Sequence, residues 1–128
     1  MRNLSRLLNP KSIAVIGGGA WCTSIIVAAH QIGFEGILRP VHPSGKIIAG
    51  IPSLPSLDQF PGPIDAAFIG VNRHATLDIV TQLRSLGAGG ATCFASGFSE
   101  SAAEDEAGHD LQAQLIVAAG DMPILGPN

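Results

Sequence analysis

The sequence predicts an α/β fold, a doubly wound and mostly parallel β-sheet with helices on both faces. Short apolar runs, typical of strands buried on both faces, alternate with segments whose apolar residues recur every three or four positions, as in helices. Glycine or proline stands at most of the junctions between these segments. Strand–helix–strand connections of this kind are right-handed in nearly all proteins, so the alternation indicates a Rossmann-like sheet.

The strands are predicted from the apolar runs. They cover residues 12–16, 37–41, 64–71, 91–95 and 123–125, and residues 46–51 are predicted to add one short strand. A proline-punctuated connection over residues 52–63 is predicted to contain one helical turn at 56–60.

Three helices are predicted between the strands. The first begins at Thr23 and ends at Gly33, and the second ends at Gly87. The third follows Ser101 and Glu104, which have the spacing of a capping box. The apolar faces of the three helices carry Ile25, Ala28, Ala29 and Ile32; Thr76, Ile79, Val80, Leu83 and Leu86; and Ala107, Leu111, Leu115 and Ala118.

Length and composition predict one domain over residues 1–128. Hydrophobic residues make up 46% of the chain and charged residues 13%, which excludes a disordered chain. The net charge of −3 argues against nucleic acid as a partner, and no apolar run approaches the length of a membrane span. Two cysteines and the lack of a signal peptide favour a cytoplasmic location. Because the last residues carry no polar tail, we interpret the chain as the N-terminal fragment of a longer protein.

Ligands of such sheets bind at the carboxyl ends of the strands, where four segments are expected to meet: 17–24, 42–46, 71–74 and 96–100. Gly17, Gly18 and Gly19 form a loop between a strand and a helix, which predicts phosphate binding by backbone N–H groups. Cys22 replaces the third glycine of G-x-G-x-x-G, and the lysine of a P-loop is missing. A tight turn without a ligand is therefore the alternative.

The second segment argues against NAD, because it lacks the carboxylate that would bind the ribose. It offers His42, Ser44 and Lys46, which favour a further phosphate group. Coenzyme A carries such a phosphate at the ribose 3′ position, and NADP carries one at the 2′ position. A solvated surface lysine is the alternative for Lys46.

Four segments resemble the CoA-binding domain of NDP-forming acyl-CoA synthetases, the relatives of the succinyl-CoA synthetase alpha subunit. They are residues 8–17 (LNPKSIAVIG), 40–43 (PVHP, where the family has P-V-N-P), 95–100 (ASGFSE, similar to A-G-F-S-E) and 125–128 (LGPN). Their order and spacing extend the resemblance over essentially the whole chain.

The resemblance implies a site for coenzyme A. It implies that the CoA phosphates are lined by Gly17, Gly18, Gly19, Ala20, Trp21 and Ser24. It implies that His42, Pro43 and Lys46 flank the adenosine 3′-phosphate, that Val71 and Asn72 border the path to pantetheine, and that Ser96, Gly97 and Phe98 lie near the pantetheine arm.

The chain departs from the family at two of these places. The family loop usually reads G-A-S and runs several residues longer, whereas residues 20–23 are shorter and bulky. Trp21 is interpreted as covering the phosphates or stacking on a base or ribose, with helix packing as the alternative. Val71-Asn72 stands where the family often has Thr-Pro.

The resemblance predicts that the domain holds CoA for an acyl-CoA synthetase and is not itself catalytic. No catalytic residue and no metal site are predicted, because no histidine, cysteine or carboxylate stands in a recognisable constellation. The remaining synthetase domains, in the same chain or in a partner subunit, are the expected partners, and a homo-oligomer is left open. The alternatives are a free-standing CoA- or nucleotide-binding regulatory module, the regulatory part of a protein acetyltransferase, and a fragment of an NADP-binding reductase.

Overall fold

The computed structural model describes residues 4–94 and 106–125. Its helices are α1 Ser5–Leu8, α2 Ala20–Gln31, α3 Arg73–Ser85 and α4 Glu106–Ala119, and a short 3₁₀ helix covers Leu57–Gln59. Its strands are β1 Ser12–Ile16, β2 Ile37–Val41, β3 Ile47–Ile48, β4 Ile51–Pro52, β5 Ala66–Ile69, β6 Ala91–Cys93 and β7 Ile124–Leu125.

The main sheet has five parallel strands in the order β2-β1-β5-β6-β7, which confirms the predicted fold class. The chain runs from β1 outward to β2 and then returns to the other side of β1 for β5. The strand order therefore reverses beside β1, and a crevice opens there at the carboxyl ends of the strands.

The core lies in two layers, one on each side of the sheet. Successive side chains of a strand point to opposite faces, so Val15 of β1 packs in the layer that contains Ile26 of α2. Ile16 packs in the opposite layer with Leu83 of α3 and Leu115 of α4. All five residues of β1 are buried, which explains why its sequence is apolar without alternation.

A hydrogen-bonded polar cluster lies at the amino ends of β1 and β5. The Arg6 guanidinium of α1 donates to the Asp65 carboxylate at 2.8 Å and to the Gly87 carbonyl at 2.9 Å. The Lys11 N–H donates to the second Asp65 oxygen at 2.9 Å. The hydrogen bond from Arg6 is the main cause that lowers the pKa of Asp65 below its usual range. The cluster thus ties α1 to the entrance of β5.

Several predicted elements differ in the structure. The predicted strand 64–71 is shortened to β5, and Ala28 and Ile32 of the face predicted for the first helix are exposed, whereas Ala29 is buried. The first long helix begins at Ala20 instead of Thr23, because Gly19 takes the extended backbone of an N-cap. Residues 46–51 do not form one strand but belong to a small antiparallel hairpin of β3 and β4. Its turn places Ala49 and Gly50 at φ of 50° and 82°, which reverses the chain within two residues. The predicted helical turn at 56–60 is confirmed by the 3₁₀ helix.

Candidate functional site

The glycine loop after β1 is pressed against the loop after β5. Gly17 donates its N–H to the Val41 carbonyl at 3.1 Å and has a φ of +127°. A Cβ at this position would lie 2.6 Å from the Gly70 carbonyl oxygen, which is shorter than real Cβ contacts. Only glycine therefore fits at this position, and the loops after β1 and β5 are in close contact where the strand order reverses.

Two basic side chains from the segment after β2 lie directly on this loop. The Lys46 ammonium is 3.4 Å from the Gly18 carbonyl oxygen. A Cβ at Gly18 would lie 2.7 Å from Lys46 Nζ and 2.8 Å from His42 Cδ2. The structure thus brings Gly18, His42 and Lys46 together, although 28 residues separate Gly18 from Lys46.

Backbone hydrogen bonds fix the segment that carries these side chains. The His42 N–H donates to the Leu54 carbonyl at 2.9 Å, and the Ser53 N–H donates to the Lys46 carbonyl at 3.0 Å. The Ser44 N–H donates to His42 Nδ1 at 3.2 Å, so in the neutral imidazole the proton is assigned to Nε2. The segment is therefore held in place before any ligand arrives.

The amino end of α2 adds a partial positive charge at the same place. Gly19 is the N-cap, and α2 has no acidic residue in its first turn. The first N–H groups of a helix have no partner within the helix, and the helix dipole favours an anion beside them. Together with Lys46 and His42, this end makes the loop suitable for negatively charged groups.

Two clefts open on either side of the glycine loop. The first, called here the β2-side cleft, has a volume of about 380 Å³ and lies between the glycine loop, the segments after β2 and before the 3₁₀ helix, and α3. The second, called the β6-side cleft, has a volume of about 300 Å³ and lies between the first turns of α2 and α3 and the end of β6. Gly70 and Val71 line both clefts and separate them.

Three aromatic rings form a stack, and two of them, Trp21 and Phe94, line the β6-side cleft. The ring centroids of Trp21 and Phe94 are 5.5 Å apart with planes at 4°. Phe94 in turn stacks on Phe68 of β5, with centroids 6.1 Å apart and planes at 11°. Trp21 remains 65% exposed, so one side of the indole is packed and much of it is open to solvent.

The residues predicted for the site occupy different places in the structure. Gly17, Gly18, His42, Pro43 and Val71 line the β2-side cleft, and Gly19, Trp21, Val71 and Asn72 line the β6-side cleft. Ala20 and Ser24 are exposed on α2 and line neither cleft. Ser96, Gly97 and Phe98 lie outside the described residues.

Asn72 also has a structural role that the sequence did not reveal. Its Oδ1 accepts the Ala75 N–H at 2.8 Å, so Asn72 caps α3. The cap places the first turn of α3 beside Gly70 and the glycine loop. Asn72, which was predicted as a site residue, therefore also stabilises the amino end of α3.

Sequence reasoning missed one wall of the β2-side cleft. Ala75, Asp78, Ile79 and Gln82 of α3 line it. Their spacing is that of one helix face, and the helix follows a strand whose carboxyl end was predicted to lie at the site. That periodicity was the signal that could have identified the wall. Phe94 was also missed, because only the fold brings it against Trp21.

The cysteines are not suited to nucleophilic chemistry. Cys22 is 1% exposed beneath the glycine loop, where burial raises its thiol pKa. Burial also raises the pKa of the Cys93 thiol to about 11. Thiols in this state are protonated at neutral pH and poor nucleophiles. In the part of the chain that the structure describes, His, Cys, Asp and Glu form no cluster suited to a metal ion.

Comparison with known proteins identifies the family. Residues 11–128 match the family described as a CoA binding domain. The chain belongs to this family. The CoA-binding domain predicted from the sequence motifs is thereby confirmed as the family of this chain.

The similar proteins are much longer enzymes. The chain is 34% identical to a trans-feruloyl-CoA synthase from an unknown prokaryotic organism, over 99% of this chain and 18% of that protein. It is 32% identical to the ADP-forming acetate–CoA ligase II of Archaeoglobus fulgidus, over 98% of this chain and 19% of that protein. The chain therefore spans less than a fifth of the length of these relatives.

A solved structure has a similar fold. The dinucleotide-forming acetyl-coenzyme A synthetase 1 of Ca. Korarchaeum cryptofilum, in complex with phosphate and ADP, superposes with a TM-score of 0.86 and 28% identity. The match covers 100% of this chain and 28% of that chain.

Among the described residues, no helix is long and apolar enough to cross a membrane.

Proposed function

We propose that this domain holds coenzyme A for an ADP-forming acyl-CoA synthetase, with the nucleotide and the pantetheine arm on opposite sides of the glycine loop. The observation that carries the proposal is the convergence of Lys46, His42 and the α2 amino end on Gly18, between two clefts. Coenzyme A has the matching form, because its pyrophosphate joins a phosphorylated nucleoside to a long flexible arm.

Different groups of the site would bind the pyrophosphate and the 3′-phosphate of coenzyme A. The backbone of Gly17, Gly18 and Gly19 and the α2 amino end would bind the pyrophosphate, because glycine allows close approach of N–H groups to phosphate oxygens. Lys46 and His42 would bind the 3′-phosphate beside it. Hydrogen bonds between such charged partners contribute about 1.5–3 kcal/mol each, so Lys46 should matter strongly for affinity.

The β2-side cleft would then hold the nucleoside. Pro55 and Ile79 provide apolar surface for a planar base, while Asp78 and Gln82 of α3 line the same cleft. A carboxylate and an amide oxygen accept hydrogen bonds, and the exocyclic amine of adenine donates them. The wall that sequence reasoning missed therefore fits the adenine end of the ligand.

The domain contributes binding and orientation. Among the described residues no cluster is suited to a metal ion, and both cysteines are buried with raised thiol pKa values, so neither offers a thiolate nucleophile. Thioester formation coupled to ADP would use groups of the remaining synthetase domains, in the same chain or in a partner subunit. Holding CoA in one orientation against those groups is how a binding domain accelerates such a reaction.

Calorimetry with CoA and dephospho-CoA tests the proposal. We expect the 128-residue chain to bind CoA at least about tenfold more tightly than dephospho-CoA, because only CoA carries the 3′-phosphate. Lys46→Ala should remove most of this preference. Lys11→Ala is the matched control, since Lys11 lies at the opposite end of β1 and should leave it unchanged.

The outcomes separate the parts of the proposal. Equal binding of CoA and dephospho-CoA by the unmodified chain would remove the role given to Lys46 and His42. Failure to bind either ligand, with circular dichroism showing a folded chain, would overturn the CoA site itself.

A further inference from the structure

We propose that the stack of Trp21 on Phe94 makes the β6-side cleft selective for the pantetheine arm, so that this chain distinguishes CoA from nucleotides with the same phosphates and no arm. The inference rests on the proposed function. It adds a specificity role for an aromatic pair that resemblance to the family does not imply.

The stack presents a rigid apolar wall. Phe94 follows β6 and Phe68 belongs to β5, so the sheet fixes both rings. Trp21 lies parallel to Phe94 with planes at 4°, so one face of the indole packs on a ring beside the sheet. Trp21 is 65% exposed and lines the cleft. An indole held in this way offers apolar surface to a ligand at little cost in side-chain entropy.

The position of the cleft points to the arm. Gly19 lines the β6-side cleft, whereas Gly17, Gly18 and His42 line the β2-side cleft. A ligand with its 3′-phosphate at Lys46 and its pyrophosphate on the glycines continues past Gly19 into the β6-side cleft. The arm begins with a methylene group, which is followed by a carbon bearing two methyl groups, an apolar and bulky unit that fits an aromatic wall.

The loop sequence places the indole beside this space. Trp21 stands in the first turn of α2 and lines the same cleft as Gly19. A Cβ at Gly19 would meet nothing within 4 Å, so there is room for a ligand beside this glycine.

The experiment compares two ligands that share the 3′-phosphate and the pyrophosphate, one with the arm and one with a free, more negatively charged terminal phosphate in its place. CoA and 3′-phosphoadenosine 5′-diphosphate are titrated by calorimetry into the unmodified chain, Trp21→Ala and Trp21→Phe. Val27→Ala is the control, because Val27 is an exposed apolar residue of the same helix that lines neither cleft. Burial of two methyl groups corresponds to about a tenfold gain in affinity.

We therefore expect Trp21→Ala to bind CoA about tenfold more weakly and to bind 3′-phosphoadenosine 5′-diphosphate as before. Trp21→Phe should keep most of the preference, and Val27→Ala should keep all of it. Trp21 is the single tryptophan of the chain, so its fluorescence gives a second measurement. CoA should change the emission markedly more than the nucleotide without the arm.

Three results would overturn the inference. An equal loss of affinity for both ligands in Trp21→Ala would show that the indole covers the phosphates. Unchanged CoA affinity in Trp21→Ala would show that the indole contacts neither the phosphates nor the pantetheine arm. If neither ligand binds the folded, unmodified chain, the CoA site fails first and the inference fails with it.

Discussion

Substituting alanine for one glycine of the loop is expected to lower either the stability of the domain or its affinity for CoA. Gly17→Ala should mainly lower stability, and Gly18→Ala should mainly lower affinity. At Gly17 the methyl carbon would lie 2.6 Å from the Gly70 carbonyl oxygen, and the φ of +127° is one that L residues rarely adopt. At Gly18 its nearest neighbours would be the ends of the Lys46 and His42 side chains, at 2.7 and 2.8 Å. Backbone atoms cannot move away from such a contact, whereas these side chains can rotate.

The two substitutions therefore have different magnitudes. Gly17→Ala combines an unfavourable backbone conformation with overpacking, which together cost about 2–4 kcal/mol of the free energy of unfolding. Gly18→Ala should lower it by less than about 1 kcal/mol. The same substitution displaces Lys46, and losing a charged hydrogen bond of about 1.5–3 kcal/mol weakens CoA binding by roughly 10- to 150-fold.

Urea unfolding and calorimetry measure the two effects on the same protein samples. Gly19→Ala serves for comparison, because a Cβ there would meet nothing within 4 Å and the helix cap alone is altered. Its stability should fall by about 1 kcal/mol or less. The reasoning is refuted if Gly17→Ala and Gly18→Ala lose the same stability, or if Gly18→Ala binds CoA as tightly as the unmodified chain.

Three further predictions concern the scaffold. Asp65→Asn should lower the free energy of unfolding by about 1–3 kcal/mol at pH 7, because it breaks the ion pair with Arg6. Because the folded-state pKa of Asp65 is lowered, the stability that its carboxylate contributes should be complete above the unfolded-state pKa of about 3.9 and disappear as the pH falls through the folded-state pKa. Urea unfolding of both proteins from pH 7 to 3 measures this. A stability difference that stays constant over that range would contradict the prediction. The Cys93 thiol, with a pKa of about 11, should resist iodoacetamide at pH 8 until the chain unfolds, and mass spectrometry showing rapid alkylation of the folded protein would contradict its burial. Ala49→Asn should raise the free energy of unfolding by about 0.5–1 kcal/mol, because asparagine tolerates the φ of 50° before Gly50 better than alanine does; an unchanged urea midpoint would show that the turn is not strained.

The sequence was sufficient for the parts of the fold that depend on local pattern. β1 and β2 have the predicted bounds, because each is a short apolar run with a glycine or proline beside it. The order of the main strands and long helices along the chain was also predicted, because apolar runs alternate with helical periodicity in the sequence. The glycine loop was recognisable because Gly17 follows a buried strand directly.

The parts that the sequence did not predict depend on distant contacts. Helix α1 has four residues, too few for a periodic pattern, and it is held by Arg6 reaching Asp65. The hairpin needs left-handed backbone at Ala49, which alanine does not indicate. Trp21 and Phe94 meet only because the first turn of α2 and the end of β6 lie at the same edge of the sheet.

The Arg6–Asp65 cluster and the glycine loop occupy opposite poles of the same strands. Mutations that retune ligand preference around Trp21 or Lys46 would thus fall far from the bonds that anchor α1. Such a layout allows exposed side chains at the ligand end to change, while Gly17 at one end of β1 and the Arg6–Asp65 cluster at the other maintain the fold.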